Sequence, residues 1–289
     1  MLRDTLMNIK LITTQKALSP TQITLADYCL NPYRGCEFGC LYCYSMENKN
    51  IKNINPFREI GVKINIDEIL RRQLKFINPK RVLLGSTTEC FQYVETKYHL
   101  TEKILKTLNE FKVPYTILTK SNLIKNYLSL IAENAKNKIY FTLNSAPISL
   151  LERKTPAQEQ RLEAIAQIIK RNIGLRIHVG PFIPHISILK DLLEILPSGV
   201  KEVDIELYHH RMGNYEEILK IIAKTLGKET ERKISSVYAT EAAYLEFSQQ
   251  LKNDLVVLKN SYPDISFFCL VPGFNMFYNK KIDYNNKVK

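Results

Sequence analysis

Short strand-like and helix-like segments alternate between residues 66 and 207, and this alternation limits the chain to few folds. With a first strand before residue 31, the sequence predicts six strands, over residues 23–30, 81–85, 115–119, 138–143, 175–179 and 203–207. Helical periodicity predicts intervening helices over residues 66–77, 101–111, 122–135, 156–171 and 187–196. Strands joined through helices of this length form a parallel sheet with right-handed crossovers.

Six such units fit an α/β fold in which the sheet curls into an open, partial (β/α)6 barrel. A doubly wound open sheet is the main alternative. No G-x-G-x-x-G follows the first strand, however, so a dinucleotide-binding fold loses support. Both architectures bind ligands at the carboxyl ends of the strands, so functional side chains are expected there.

The sequence predicts three regions: a polar N-terminal arm over residues 1–22, the barrel over 23–210, and a C-terminal α/β extension over 211–289. The extension is expected to pack on the barrel, with helices at 215–226 and 240–260 and a last strand at 265–271. Residues 45–62 are rich in Asn and Lys, and Pro56 and Gly61 interrupt them. We therefore predict a connection there.

Three of the six cysteines, Cys36, Cys40 and Cys43, stand within eight residues. The same spacing would place three small side chains on one face of a helix. Gly35 and Gly39 argue against a helix, because each lowers helix stability by about 1 kcal/mol relative to Ala. A glycine-containing loop that brings the three sulfurs together is favoured, and convergent thiolates bind zinc, copper(I) or iron–sulfur clusters.

The spacing leaves more than one kind of site open. Structural zinc usually has four ligands in two close pairs, whereas this chain has one compact triplet. A fourth zinc ligand would have to come from Cys29, Cys90, Cys269 or a histidine. Three cysteines also suit a four-iron cluster that keeps one iron open for a ligand. We favour the cluster, with zinc or inert thiols as the alternatives.

The formal net charge of +12 favours an anionic partner such as nucleic acid, although lysines spread over solvated helix faces give the same total. The cysteines do not form a disulfide framework, which indicates a reducing compartment. The N-terminus lacks the pattern of a signal peptide, and no run reaches the about 18 apolar residues of a membrane helix. We therefore expect a soluble, cytoplasmic protein without a membrane partner.

The stretch Asn31-Pro-Tyr-Arg-Gly-Cys36-x3-Cys40-x-Tyr42-Cys43-Tyr44 resembles the cluster motif of the radical S-adenosylmethionine (SAM) superfamily, and most closely its spore-photoproduct-lyase-like branch. The resemblance extends to about residue 210. It implies a partial (β/α)6 radical SAM barrel and a [4Fe-4S] cluster on the three cysteines. It also implies that the amino and carboxylate groups of SAM chelate the fourth iron, with Tyr42 against the bound SAM.

Further candidate SAM-binding residues stand at the predicted strand ends. Ser86 and Thr88 follow the second strand, Lys120 follows the third, and Thr142 and Asn144 end the fourth. Small hydroxylic residues let a ligand approach the backbone, and Thr142 and Asn144 point the same way in a strand. The resemblance implies that Lys120 contacts SAM and that Thr142 and Asn144 hydrogen-bond it. The alternatives are a helix cap near residue 88, a surface lysine and a strand-end turn.

Four other polar residues carry weaker signals. Arg161 suits an anion contact or an ion pair on a helix surface. His178 is more typical of a hydrogen-bonded core histidine than of a catalyst. His209 and His210, after the sixth strand, are candidates for the substrate cavity.

The resemblance implies an enzyme that cleaves SAM reductively, giving methionine and a 5′-deoxyadenosyl radical that abstracts hydrogen from a substrate. It then needs an external one-electron donor of the flavodoxin or ferredoxin type. Lyase-like kinship and the basic charge favour nucleic acid, although Ser86 stands where the lyase is expected to carry a hydrogen-donating cysteine, and Cys90 is displaced from that position. The alternatives are modification of a peptide or small metabolite, and a zinc-stabilised nucleic-acid-binding protein without catalytic activity.

Overall fold

The computed structural model describes residues 7–47, 59–211, 214–275 and 285–288. The strands are β1 (Asn8–Ile12), β2 (Ser19–Pro20), β3 (Tyr28–Leu30), β4 (Tyr33–Arg34), β5 (Glu59–Lys63), β6 (Val82–Leu84), β7 (Tyr115–Thr119), β8 (Lys138–Thr142), β9 (Gly174–Phe182), β10 (Glu202–Leu207) and β11 (Ser266–Leu270). The α-helices are α1 (Ile66–Leu74), α2 (Glu95–Tyr98), α3 (Leu100–Glu110), α4 (Leu128–Ala132), α5 (Gln158–Lys170), α6 (Leu189–Ile195), α7 (Tyr215–Thr225), α8 (Lys228–Tyr238) and α9 (Glu241–Ser261). Three 3-10 helices span Tyr44–Glu47, Asn122–Tyr127 and Ala146–Leu151.

Eight of these strands form one sheet in the order β11-β10-β9-β8-β7-β6-β3-β2. From β3 to β10, neighbouring strands of this sheet are parallel and follow one another in the chain. Successive right-handed βα units produce this order. The predicted parallel α/β architecture with six consecutive barrel strands is therefore confirmed, and β11 extends the parallel series beside β10.

The two faces of the sheet differ because successive strand residues point to opposite sides. One face packs with the helices in the main core. On the other face, Leu83, Leu118 and Tyr140 belong to a separate apolar cluster. Two residues beyond Leu118 and Tyr140, the same face carries Lys120 and Thr142. This face therefore carries an apolar cluster on β6, β7 and β8 and polar side chains at the carboxyl ends of β7 and β8.

Apart from shifted ends and the four-residue α2, which was not predicted, the predicted helices differ from the observed ones at two places. Residues 122–135 begin as the 3-10 helix after Ser121, whose Oγ accepts a hydrogen bond from the Leu123 N–H at 3.2 Å, and only then continue as α4. Helix α8 was not predicted. Its first turns are charged and its buried residues, Ile234, Val237 and Tyr238, lie near its end, so its apolar periodicity is too sparse to read.

A second sheet, in the order β1-β5-β4, was not predicted either. Strand β5 lies within the region expected to be a connection, whose residues 48–58 lie outside the described ranges. The prediction that Gly61 interrupts this segment is wrong, because Gly61 occupies the middle of β5. A Cβ at Gly61 would lie 2.7 Å from the terminal methyl of Ile12, so the Ile12 side chain packs over the space that the glycine leaves.

The main sheet continues across both predicted region boundaries. Strand β2 lies in the predicted arm but pairs with β3, and β11 lies in the predicted extension but pairs with β10. The division at residues 22 and 210 stays a prediction. Neither margin of the sheet is a plain strand edge. At one margin, β2 contains Pro20. At the other, the Cys269 N–H donates to the Asn286 carbonyl at 3.0 Å, and the Val288 N–H donates to the Phe267 carbonyl at 2.8 Å.

An aromatic cluster joins the end of β10 to helices α7, α8 and α9. The Tyr208 ring lies 6.2 Å from the rings of Tyr215 and Tyr238, and Tyr238 lies 5.8 Å from Tyr244, measured between centroids. The Tyr238 hydroxyl donates to the Tyr208 carbonyl at 2.9 Å. These contacts pack the C-terminal helices against the strand that borders the cavity described next.

Candidate active site

The cysteine segment follows β4 as an irregular loop and not as a helix. Gly35 and Gly39 have φ angles of 85° and 60°, in the left-handed region that favours glycine. The loop bends at both glycines, and Cys36, Cys40 and Cys43 all line one cavity of about 210 Å³. The three thiols are free. The structure therefore contradicts the helix-face alternative and supports the predicted glycine-containing loop.

Burial controls the ionisation of these thiols. It raises the pKa of Cys36 to about 12, and the neighbouring Cys43 adds to the shift. Burial also raises the pKa of Cys40 well above its ordinary value, although Lys120 opposes the change. The Cys43 Sγ lies 2.8 Å from the Ser45 Oγ. Metal binding would require the thiols to lose their protons, as soft-metal thiolate sites do.

The arrangement bears on which metal the thiols fit. Among the residues that the structure describes, no group of three or more His, Cys, Asp or Glu side chains is placed to hold a metal ion. The three thiols border a shared cavity without meeting at one ion-sized point, so the convergence is looser than the sequence analysis expects. A four-iron cube carries its cysteine ligands on different corners, and three thiols around a shared cavity suit that arrangement.

Four of the five candidates at strand ends line the same cavity: Ser86, Thr88, Lys120 and Thr142. The fifth, Asn144, donates through Nδ2 at 3.3 Å to the carbonyl of Gly180, which does line it. Two of the three ordinary alternatives fare poorly: Lys120 is half-buried and not a surface lysine, and Thr88 caps neither α2 nor α3. The assignment of these residues to SAM stays a prediction.

Two buried polar atoms at these strand ends fit a ligand. Within the described ranges, Thr88 Oγ1 and Asn144 Oδ1 have no hydrogen-bond partner. A buried polar atom that stays unpaired costs about 1–3 kcal/mol. A hydroxyl or amino group of a bound ligand would satisfy both atoms, so the local chemistry suits a polar ligand such as SAM.

Lys120 is held in place from two sides. Its Nζ lies 5.6 Å from the centre of the Tyr42 ring, within the range of a cation–π contact. Its backbone N–H donates to Glu89 Oε2 at 2.9 Å, and the Thr119 hydroxyl donates to Glu89 Oε1 at 2.8 Å. Burial raises the pKa of Glu89 in spite of these bonds. Sequence analysis missed Glu89; its position after the second strand was the available signal.

We call Cys36, Cys40, Cys43, Tyr42 and Lys120 the cysteine wall of the cavity. The hydroxyl of Tyr42 donates to Glu152, which the sequence analysis also missed. Arg161 does form one of the predicted contacts, an ion pair, but inside the protein and not on the helix surface: its guanidinium lies 2.5 Å from Glu152. Both side chains are buried, with 6% and 2% of their surface exposed.

His178, Asp204 and Glu206 form a second group, which we call the ionic wall. His178 Nδ1 lies 2.6 Å from Asp204 Oδ2, and Nε2 lies 3.5 Å from Glu206 Oε2. His178 and Glu206 line the cavity, and the Asp204 side chain is only 2% exposed. Burial lowers the pKa of His178, but Asp204 and Glu206 outweigh it and raise the pKa above the ordinary 6.5. His178 is therefore a cavity residue and not only a core histidine.

The backbone beside the ionic wall makes room for the imidazole ring. A Cβ on Gly180 would lie 2.0 Å from His178 Nε2. Thr142, His178 and Asp204 are direct neighbours across β8, β9 and β10, so their side chains share one face. The signal for Asp204 and Glu206 was present in the sequence as acidic residues at alternate positions of β10.

The two histidines after β10 have different environments. His209 lines the cavity. His210 packs against Tyr238 and Phe274, at 4.9 and 5.1 Å between ring centres. Burial, together with Arg211 and His209, lowers the pKa of His210 to about 4. His209 therefore suits the predicted place at the substrate cavity, whereas His210 belongs to the aromatic cluster.

The profile of the radical SAM superfamily matches residues 30–196, which include the whole cysteine wall and most of the barrel. The chain belongs to the radical SAM superfamily. This is a superfamily of enzymes, and membership implies a [4Fe-4S] cluster, SAM and an external electron donor. The enzyme prediction is confirmed at this level, without a specific reaction.

Two relatives of this radical SAM protein are themselves uncharacterized and name no substrate. An uncharacterized protein of Methanocaldococcus jannaschii is 27% identical over 177 residues, which cover 60% of this chain and 67% of the relative. An uncharacterized protein of Mycobacterium tuberculosis is 30% identical over 172 residues, 55% of this chain and 51% of the relative. The chain spans about half the length of the mycobacterial protein.

A solved structure supports the fold of the branch predicted from sequence. Spore photoproduct lyase complexed with dinucleoside spore photoproduct matches with a TM-score of 0.57 at 16% identity, covering 75% of this chain and 65% of the lyase. At this identity the similarity concerns the fold alone. Within the part of the chain that the structure describes, no helix combines the length and apolar character needed to span a bilayer.

Proposed function

We propose that this radical SAM protein binds a [4Fe-4S] cluster through Cys36, Cys40 and Cys43 and uses it to cleave SAM reductively and abstract hydrogen from a substrate. One observation carries the proposal: the three thiols line the same cavity as five of the six predicted SAM-binding residues, Tyr42 in the cysteine loop and four others at the carboxyl ends of the barrel strands. When bound and reduced, the cluster would supply one electron to SAM. Three cysteines would leave the fourth iron without a protein ligand, and SAM would bind at that position.

The residues of the chain divide the remaining work. Lys120 offers a positive charge that suits the carboxylate of SAM, and its contact with the Tyr42 ring keeps it on the cysteine wall. Thr88 and Asn144 offer buried oxygens to polar groups of the ligand. The burial of Cys40, Tyr42 and Thr142 limits the access of water and oxygen to the reacting groups.

We propose nucleic acid as the substrate class, with an uncharged base or sugar as the part that enters the cavity. The net charge of +12 supports binding of a phosphate backbone. The ionic wall carries two carboxylates, Asp204 and Glu206, which disfavour a phosphate inside the cavity. A flipped nucleotide satisfies both conditions, because its phosphates stay outside the cavity while its base leaves the stack.

Ser86 restricts the type of nucleic-acid reaction. It lines the cavity where a hydrogen-donating cysteine is expected in spore photoproduct lyase, and its Oγ accepts a 3.1 Å hydrogen bond from Asn31. Cys90 does not take its place: it is completely buried and lies outside the cavity lining. We therefore propose a radical reaction on nucleic acid other than repair of the spore photoproduct. Modification of a peptide or small metabolite is the alternative.

Anaerobic reconstitution tests the cofactor assignment. The protein should bind iron and sulfide, show the broad visible absorption of an iron–sulfur centre, and form 5′-deoxyadenosine from SAM with dithionite. Cys40→Ala should abolish 5′-deoxyadenosine formation, whereas Cys269→Ala, in a buried cysteine of β11 outside the cavity, should retain it. A colourless protein that holds stoichiometric zinc, or full activity in Cys40→Ala, would contradict the proposal.

A second experiment tests the substrate and the electron donor. Duplex DNA, single-stranded DNA and structured RNA are each added to the reconstituted enzyme with SAM and reduced flavodoxin or ferredoxin. Nucleic acid should stimulate 5′-deoxyadenosine formation and should bind with an affinity that falls steeply with salt. Stimulation by a peptide or metabolite pool, with none by nucleic acid, would favour the alternative substrate class.

A further inference from the structure

The segment from Leu151 to Thr155, between the fourth barrel strand and α5, is bonded to the cysteine loop on both sides of Cys40. The Lys154 N–H donates to the Phe38 carbonyl at 3.0 Å, before Cys40. The Leu41 N–H donates to the Leu151 carbonyl at 2.9 Å, after it. A remote part of the barrel thus fixes the backbone around the central cysteine.

A buried ion pair lies between these two bonds. Arg161 donates to Glu152 at 2.5 Å and, through Nε, to the Pro156 carbonyl at 2.8 Å. Taking two charges out of water is expensive, and replacing a buried pair by apolar residues is often neutral or stabilising. Stability alone is therefore a poor reason for the pair, and its remaining contact indicates another role.

That contact is to the cysteine wall. The second oxygen of Glu152 accepts the hydrogen bond of the Tyr42 hydroxyl. Tyr42 stands between Cys40 and Cys43, its side chain lines the cavity, and Lys120 lies against its ring. Because Arg161 holds Glu152 and Glu152 holds the Tyr42 hydroxyl, the side chain cannot swing about its Cα–Cβ bond without breaking a buried, charge-assisted hydrogen bond.

We propose that Glu152 and Arg161 are positioning residues of the radical site, which hold the Tyr42 ring in the orientation that SAM requires. The inference rests on the proposed function, because it assigns the two residues to the SAM site. Neither residue borders the cavity, so both act through Tyr42 and not by touching the cofactor. To hold Tyr42 in this way, the Glu152 carboxylate must accept from the Arg161 guanidinium with one oxygen and from the Tyr42 hydroxyl with the other.

The test compares Glu152→Ala, Glu152→Gln and Tyr42→Phe with Arg153→Met as a matched control. Arg153 is the neighbour of Glu152, but it is 54% exposed and lies 3.8 Å from Glu217. All variants are reconstituted anaerobically, and iron content, the dissociation constant for SAM and the SAM-induced change in the electron paramagnetic resonance signal are measured. A near-ultraviolet circular dichroism spectrum reports whether each variant keeps its tertiary structure.

Glu152→Ala should keep its iron but bind SAM about tenfold more weakly, a change of about 1.4 kcal/mol, with an altered resonance signal. Glu152→Gln, which retains an oxygen for the Tyr42 hydroxyl, should recover part of the affinity. Tyr42→Phe should weaken SAM binding to a similar degree, and the double variant Tyr42→Phe/Glu152→Ala should be little worse than either single one. Arg153→Met should have the iron content, SAM affinity and resonance signal of the wild-type protein.

Three outcomes separate this inference from the proposed function. Unchanged SAM affinity and resonance signal in Glu152→Ala and Tyr42→Phe, even with lower thermal stability, would overturn the positioning role alone. If Glu152→Ala does not fold, the SAM affinity and resonance signal of Tyr42→Phe test the positioning role, because this substitution removes one oxygen and no charge. If the unchanged protein holds no cluster, the proposed function fails and the positioning role fails with it.

Discussion

The two walls of the cavity present opposite chemistry and were unequally visible in the sequence. The cysteine wall comes largely from one continuous loop and offers soft thiols, an aromatic ring and one cation. The ionic wall comes from β9 and β10 and offers an imidazole between two carboxylates. The first suits a metal centre and SAM, whereas the second suits hydrogen bonding to an uncharged polar group. A binding site for two different molecules needs both kinds of surface.

The largest expected effect is on the ionic wall and concerns stability. Asp204→Ala leaves His178 buried without its 2.6 Å partner, and removal of one partner from a buried pair costs about 3–5 kcal/mol. Urea denaturation below pH 6.5 measures the loss. Asp254→Ala, on the exposed face of α9, is the control and should change little. A loss of unfolding free energy below about 1 kcal/mol, the value of a solvent-exposed ion pair, would contradict a buried His178–Asp204 pair.

The next effect separates the walls by function. Lys120→Met removes the cation of the cysteine wall, and loss of a charged hydrogen bond of about 2 kcal/mol corresponds to roughly 30-fold weaker SAM binding. His178→Gln alters the ionic wall and should change SAM affinity by less than about threefold. Calorimetric titration of the reconstituted proteins measures both. Equal losses in the two variants would show that SAM occupies both walls.

A smaller effect is expected from crowding the ionic wall. Gly180→Ala places a methyl group where His178 Nε2 stands 2.0 Å away, so the ring must move. Overpacking of this kind costs about 1–3 kcal/mol. Gly174→Ala is a matched control at the start of the same strand, where the nearest contacts are 3.3 Å. A Gly180→Ala protein as stable as the control would mean that the imidazole has room to rotate.

The smallest effect is the pH dependence of the ionic wall. The folded-state pKa of His178 lies above 6.5, so the folded protein holds this proton more tightly than the unfolded chain. The stabilisation is complete below 6.5 and is lost as the pH rises through the folded-state pKa. The difference in unfolding free energy between the unchanged protein and His178→Gln should therefore shrink with rising pH. A difference that grows with pH would reverse the sign and contradict a raised pKa.

Much of the fold could be predicted because its signals are local. The alternation of buried strands and amphipathic helices recurs along the barrel, and residues such as Ile66, Leu70 and Leu74 in α1 show the helical period directly. Helix α8 was not predicted because it has few apolar positions, and β5 was not predicted because it contains Gly61. Their structure depends on contacts with distant segments, which no local pattern reveals.

The candidate site divides in the same way. Cys36, Cys40, Cys43 and Tyr42 lie in eight consecutive positions, so their pattern is visible in one stretch. Asp204 and His178 are 26 residues apart, and Arg161 reaches Glu152 across nine. Each of these residues has an ordinary alternative when read alone. Only the register of β9 against β10 and the fold of the 151–155 segment make them partners.

The margins of the main sheet have a consequence for association between molecules. An open barrel has two exposed strand edges, each able to recruit a strand from another chain. Here one edge ends in the two-residue β2, where Pro20 has no N–H to donate, and the other is bonded by residues 286–288. Both features disfavour the pairing of a second copy's strand with the margins of the main sheet, so the barrel can stay open for its ligands while its own edges are protected.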